Sequence, residues 1–236
     1  MDPRKNILSK NDFIVMMNKV SIESDEFLLV VSIANESELL DVLIQYLKKN
    51  KLSKDNGYVN LWIGLTSSLI VNSLRFQKNM NYEKKITSLQ ILSIDSLRKS
   101  YKLLPTSGLC CSELGRYLFF RNNNMSEGIL LLEKGVKIAP GNSRCHKLLA
   151  DVYSNSGTKY GNITNAINEY KIAIKISPDY SSAYSGLAFS YLYAKKYEEC
   201  LGAIKMYKKL INYSKVNDVE RDILFDTEKK ILNKEL

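Results

Sequence analysis

The chain has 236 residues, 45% of them hydrophobic and 25% charged, the balance of a folded soluble chain with a sizeable core. The apolar stretch Phe27 to Ile33 runs straight into Asn35, Glu36 and Glu38, well short of the roughly 18–20 residues a membrane span needs, and with Asp2, Arg4, Lys5 and Asn6 in place of an apolar h-region no secretory leader is expected. The net charge of +9 comes from lysines scattered through every segment without a basic run of five or more interleaved with aromatics, so a solvated lysine-studded surface in the cytosol is expected and nucleic acid is not the expected partner.

In chain order, residues 1–22 hold one short apolar cluster, Phe13 to Met17, which reads as an arm or a capping helix. Glu23 to Ile33 and Glu36 to Lys49 repeat apolar residues at helical spacing. Leu39, Leu40, Leu43, Ile44 and Leu47 make one face of the second segment, and Glu36 and Glu38 suit its N-terminus. Residues 1–56 are therefore expected to form an N-terminal helical segment, closed by the break Asp55-Asn56-Gly57. Leu61 to Phe76 carries the single tryptophan, Trp62, read as a core anchor with Leu65, Leu69 and Leu74. Lys84 to Leu104 is amphipathic through Ile86, Leu89, Leu92 and Leu97, and Pro105 ends it.

Pro105, Pro140 and Pro178 stand 35 and 38 residues apart. Between the last two, Leu149, Ala150 and Tyr153 have the spacing of Leu-Gly-x-x-Tyr, and Ala166, Tyr170, Ala173 and Pro178 that of Ala-x-x-x-Phe, Ala and Pro, the signature of a tetratricopeptide (TPR) repeat. Small residues belong where the two helices cross. Downstream, Tyr184, Leu187, Ala188, Tyr191, Cys200 and Ile204 continue the pattern; upstream, Leu114, Gly115, Leu118, Gly128, Leu132 and Gly135 do. The extra four residues of the 38-residue interval fall in the turn Gly157 to Asn162. Ser93, Leu97 and Ser100 precede Pro105 by the offsets of Ala166, Tyr170 and Ala173 before Pro178. Trp62, Leu65, Thr66 and Leu69 fit the first helix of that pair loosely, at a long interval, so the pair is lengthened or only TPR-like. The expected fold is all-α: a TPR right-handed superhelix over residues 57–236, with its best repeats at 108–213 and a capping helix at 215–236.

Chemistry is sparse. Cys110, Cys111, Cys145 and Cys200 lack the paired spacing of a zinc site and read as core residues. The one histidine, His146, adjoins Cys145, but helical neighbours point about 100° apart and cannot form a dyad. With no phosphate loop, His-Glu-x-x-His or nucleophile elbow, no catalytic residue, cofactor or metal is expected. The concave wall of the first helices is the candidate site: Arg116, Phe119 and Phe120 from one helix, Arg144, Lys147, Asp151 and Asn155 from the next, and Phe189, Leu192 and Tyr193 from the third. The alternative is that these aromatics are covered by neighbouring helices or the cap.

From Thr106 to Leu187 the chain resembles the family of the cytosolic TPR subunit 2 of the endoplasmic reticulum membrane protein complex. Glu113-Leu114 followed by Leu118 is similar to its Glu-Leu-x-x-x-Tyr; Leu132-Glu133-Lys134 and Pro140-Gly141-Asn142 to its Leu-Glu-Glu and Pro-x-Asn. Ala150-Asp151-Val152-Tyr153, the enlarged turn Gly157 to Asn162, Tyr170 to Ile174 and Ala183-Tyr184-Ser185-Gly186-Leu187 resemble the segments that follow. The tryptophan expected near Cys110 and Cys111 is replaced, and residues 1–100 show no match. The resemblance implies a non-catalytic scaffold, peripheral on the cytosolic face of the endoplasmic reticulum, that holds cytosolic segments of membrane-complex subunits during insertion of transmembrane helices. The alternatives are a generic TPR adaptor, a co-chaperone clamping an acidic chaperone tail, or a ribosome- or RNA-associated TPR protein; Arg116 stands where the co-chaperone clamp wants asparagine.

Overall fold

The computed structural model describes residues 8–24, 27–36, 39–49, 56–76, 80–121, 123–155, 157–211 and 218–235. Among the described residues are twelve α-helices and no strand: α1 Lys10–Met17, α2 Phe27–Glu36, α3 Leu40–Lys49, α4 Gly57–Phe76, α5 Glu83–Leu103, α6 Gly108–Arg121, α7 Met125–Ile138, α8 Ser143–Tyr153, α9 Ile163–Ile176, α10 Ser181–Tyr193, α11 Tyr197–Leu210 and α12 Asp218–Leu232. The chain divides into two compact units, 1–117 and 118–236. The division falls inside α6.

In the first unit, α4 and α5 are long helices of 20 and 21 residues that pack side by side. Gly57 lies against Leu103 and Leu104 while Gly64 lies against Leu97 and Ser93, so the two run antiparallel. A Cβ on Gly64 would come within 2.7 Å of Leu97 Cγ, and Ser93 Oγ donates to the Gly64 carbonyl at 2.7 Å. The lengthened pair therefore crosses at Gly64 and Ser93, the latter at the offset before Pro105 that Ala166 has before Pro178. Trp62 is fully buried, sets its ring 5.6 Å from Phe27 and donates its indole N–H to the Ile22 carbonyl at 2.8 Å. That tie is one reason the N-terminal residues belong to this unit: it fastens the approach to α2 onto α4. Phe13 and Met17 of α1 are likewise buried. Glu36 is the last residue of α2 and does not begin α3, which starts at Leu40 with Asp41 in its first turn. Glu38, Asp55, residues 1–7 and the segment 212–217, which includes Lys215, lie outside the described residues.

The second unit is a succession of helix pairs. Asparagine opens three of its helices, because a short side chain with a carbonyl oxygen can accept from the otherwise unpaired N–H groups of the first turn. Asn124 accepts from Glu127 N, Asn142 from Arg144 N and Cys145 N, and Asn162 from Asn165 N. Two of the turns inside pairs are tight. Each carries one residue at positive φ, Asn123 before α7 and Lys195 before α11. The α8–α9 turn is the enlarged one. It folds back on itself through Thr158 N to Asn155 O and Gly161 N to Thr158 O, and is closed by Asn162 N donating to Tyr153 O at 2.7 Å.

Close crossings hold the pairs together. Ala150, Ala166, Ala173, Ala188 and Cys200 all have no exposed surface and belong to one apolar cluster. Tyr170 of α9 is the side chain that joins three helices. Its hydroxyl donates to Asp151 Oδ1 of α8 at 2.8 Å, while its ring lies so close to Gly186 of α10 that a Cβ there would meet it at 2.4 Å. The expected cap is α12, which packs on α10 and α11 through Leu224, Phe225 and Ile231. Lys208 of α11 pairs with Glu228 and stands 4.4 Å over the Phe225 ring.

Two substitutions test this packing. Gly186→Ala places a methyl inside the Tyr170 ring and is expected to lower unfolding stability by about 1–3 kcal/mol in urea titration. Ala173→Arg adds a charge to the same dry cluster and should be worse. A wild-type denaturation midpoint for either variant contradicts the crossing described.

Candidate partner-binding surface

The second unit presents α8 and α10, the first helices of consecutive pairs, as neighbours. On α8, Lys147 and Asp151 stand one turn apart and form an ion pair at 2.8 Å. About a fifth of each side chain is exposed. Asp151 is thereby doubly occupied, since its other oxygen takes the Tyr170 hydroxyl. Burial opposes the Lys147 charge, but Asp151, with help from Tyr180, outweighs it and holds the ammonium above its ordinary pKa. Arg144, one turn earlier, is half-buried. Tyr170 is shifted upward too: burial first, then the Asp151 charge, which disfavours the phenolate, pushes the phenol well above its ordinary value.

On α10 the three expected residues differ in access. Phe189 and Leu192 are half-buried against the apolar cluster, whereas Tyr193 is 63% exposed at the end of the helix. On the part of α6 that belongs to this unit, Phe119 is a core residue and not an open wall position, being only 2% exposed. It is buried in one cluster with Ile129 and Leu132 of α7 and Leu148, Leu149 and Val152 of α8, the covering by neighbouring helices that was the alternative reading. Tyr160 of the enlarged α8–α9 turn adds to it, its ring edge-on to Phe119 at 5.9 Å, and sequence spacing did not show that contribution. Phe120 beside it remains 41% exposed, edge to face with Phe119 at 5.0 Å.

Arg116 belongs to the first unit. Its Nε donates to Glu113 Oε2 at 3.2 Å, and the Glu113 side chain is wholly buried. Arg116 therefore acts as counter-ion to a buried carboxylate on its own helix, a role that sequence analysis missed although the i,i+3 spacing carried the signal. The first unit also holds a recess of about 280 Å³ with Met17, Val20, Ile22 and Val59 in its lining. Its rim is tied by Tyr46 to Asn18 and Asn56 to Glu23.

His146 faces away from any thiol chemistry. Its Nδ1 lies 2.6 Å from Glu169 Oε2 on α9 and its Nε2 lies 2.9 Å from the Pro140 carbonyl. A carbonyl oxygen only accepts, so Nε2 carries a proton, and a second proton lies in the hydrogen bond between Nδ1 and Glu169. The hydrogen bond to Glu169 raises the histidine pKa, burial works against it, and the Pro140 carbonyl and the Glu169 charge add to the rise. His146 thus clamps the α7–α8 turn, α8 and α9 together. Among the described residues no group of three His, Cys, Asp or Glu could hold a metal, and no helix is long and apolar enough to cross a membrane.

A family model described as TPR repeat matches residues 158–193, which run from the enlarged turn to the end of α10. No curated protein matches the chain. Among solved structures, a MamA double mutant from strain RS-1 is 15% identical with a TM-score of 0.48, covering 79% of this chain and 95% of its own. MamA from residue 41 of Desulfovibrio magneticus RS-1 is similar at 15% identity and TM-score 0.47, over 79% of this chain and 96% of its own. YrrB, described as a TPR protein with an unusual peptide-binding site, is similar at 11% identity and TM-score 0.45, over 86% and 93%. The described residues are all-α, and those from 158 to 193 match a TPR repeat.

The His146 clamp has a signed pH dependence. A histidine whose folded pKa is raised above its unfolded value of 6.5 contributes stability that is complete below that value and is lost as pH rises through the folded pKa. Thermal unfolding of the wild type should therefore show a loss of stability above pH 6.5 that is missing in His146→Gln. Parallel pH profiles for the two proteins contradict the clamp.

Proposed function

We propose that the chain is a non-catalytic scaffold subunit of the endoplasmic reticulum membrane protein complex, supporting insertion of transmembrane helices from the cytosolic side. It is held at the membrane by its protein partners, with no span of its own called for. The observation that carries this reading is the enlarged turn Gly157 to Asn162, set between Ala150-Asp151-Val152-Tyr153 and Ala183 to Leu187 as in the family it resembles. A partner's cytosolic segment would lie along α8 and α10. Phe189 and Tyr193 supply apolar anchors, with Phe120 as a further exposed ring, while Arg144, Lys147 and Asp151 set orientation. Phe119 backs this surface from the core, whereas Arg116, in the first unit, is committed to Glu113 and is left out of it.

The co-chaperone reading has a specific obstacle: the Lys147 ammonium already faces Asp151 at 2.8 Å, so an acidic peptide tail would compete with an internal carboxylate. Titration of the purified chain with a free acidic chaperone-tail peptide is expected to show no specific binding. Micromolar affinity abolished by Lys147→Ala would put that reading first.

For the membrane-complex reading, the tagged chain is recovered from gently solubilised membranes and its companions are identified. Subunits of the membrane complex are expected. Phe120→Ala combined with Tyr193→Ala, both exposed positions, should leave the fold intact. If each ring is a centrally buried anchor in the complex, each should weaken partner binding by about 2 kcal/mol or more. A wild type that stays wholly soluble, or brings down only chaperones or ribosomes, overturns the assignment; undiminished recovery by the double variant overturns the surface.

A further inference from the structure

The second helices of the C-terminal unit carry lysine at repeating positions on their solvent side. Lys171 and Lys205 stand 34 residues apart, as do Lys175 and Lys209, in α9 and α11. Lys137 of α7 stands three residues before Pro140, as Lys175 stands three before Pro178. All five are exposed. Lys137, Lys175, Lys205 and Lys209 have no ion-pair partner among the described residues, and Lys171 stands 5.8 Å from the Tyr191 ring. Equal positions in stacked repeats form a row, because each repeat is related to the next by the same small displacement.

Two exposed isoleucines adjoin row lysines in sequence. Ile138 follows Lys137 and Ile172 follows Lys171, and they are 37% and 38% exposed. The acids on the same helices are turned elsewhere or stand at the other end. Glu133 takes the Tyr153 hydroxyl, Glu169 takes His146, and Glu198 and Glu199 occupy the first turn of α11. Asp179, just beyond Pro178, is the exposed acid nearest in sequence to Lys175.

We propose that this outer face is an interaction surface for an anionic lipid bilayer, with the lysine row meeting headgroup phosphates and carboxylates and Ile138 and Ile172 entering the interfacial layer. The chemistry favours lipid over RNA. The row is made of lysines, which meet anionic groups as point charges without a fixed geometry. Aliphatic side chains adjoin them in sequence, whereas single-stranded nucleic acid is held by stacking on aromatic rings. The proposal goes beyond the partner surface on α8 and α10 and does not depend on it, since the two use opposite helices of each pair.

The test is flotation of the full chain with vesicles of phosphatidylcholine alone and with about 30 mol% phosphatidylserine, where each basic residue near the surface strengthens binding. Binding is expected only to the anionic vesicles and should fade at roughly 0.5 M NaCl, where charges more than a few ångströms apart are screened. The variant Lys171→Glu, Lys175→Glu, Lys205→Glu, Lys209→Glu should lose about tenfold or more in partitioning. The corresponding Lys→Gln variant, which places no acid at a helix C-terminus, should lose less but clearly. Lys10→Glu, Lys48→Glu, Lys49→Glu, Lys84→Glu changes net charge equally, uses exposed lysines of the other unit and should retain most binding. Equal binding to both vesicle types overturns the proposal. So does retention by both row variants, an equal loss in the control, or binding to RNA with none to vesicles. Because no partner protein is present, none of these results bears on the membrane-complex reading.

Discussion

The packing of the second unit depends on a single steric relation: the Tyr170 ring fills the space that a side chain at position 186 would take. Glycine is required there because the nearest ring atoms lie 2.4–2.5 Å from where a Cβ would stand. The ring is fixed there by its hydroxyl, which donates to Asp151 at 2.8 Å. A tyrosine stretched between a carboxylate on one first helix and a glycine on the next fixes the stacking of consecutive pairs, something that apolar contact alone specifies loosely. The first unit solves the same problem differently. There the crossing closes by Gly64 meeting Leu97, with the Ser93 hydroxyl bonded to the Gly64 carbonyl.

That relation has electrostatic consequences. Asp151 accepts from the Tyr170 hydroxyl with one oxygen, and a half-buried carboxylate is costly without a cation, which Lys147 supplies at the other. The inner surface of α8 is therefore largely self-neutralised before any partner arrives. His146 and Glu169 form a second compensated pair behind it, binding the Pro140 carbonyl as well. What remains for recognition on these first helices is mainly aromatic: Tyr193 at the end of α10 and Phe120 at the end of α6, with Phe189 partly open.

The pattern of small residues and prolines was legible because it reflects sterics that act at fixed sequence intervals. Ala166, Ala173, Ala188 and Cys200 read directly as crossings, and all are buried without exposure. Trp62 read as an anchor for the same reason. Legibility failed where irregular chain sets the outcome. The four extra residues between α8 and α9 were visible as an insertion, yet nothing in their spacing told that Tyr160 would add to the cover of Phe119. The first-unit crossing falls at Gly64, which the loose match at Trp62, Leu65, Thr66 and Leu69 did not mark, because close approach selects the residue without a side chain. Glu36 was assigned to the start of one helix and ends another, since an acid favours an N-terminus but apolar packing of Val30, Val31 and Ala34 sets where α2 stops.

The two kinds of helix in each pair are under unequal constraint. First helices are packed on several sides, so their polar groups are committed to one another, and a change at Asp151 or Gly186 propagates through Tyr170 into three helices. Second helices show one side to solvent, and their last turns favour cations because the unpaired carbonyls there carry partial negative charge. Lys137, Lys175 and Lys209 occupy such turns. A lysine in that place is compatible with the fold whatever it faces outside. Lys171 and Lys205 lie a full turn further in, where that benefit has largely decayed. Helix-end electrostatics alone therefore explains the outer members of the row and leaves the inner two to be explained by what the surface meets.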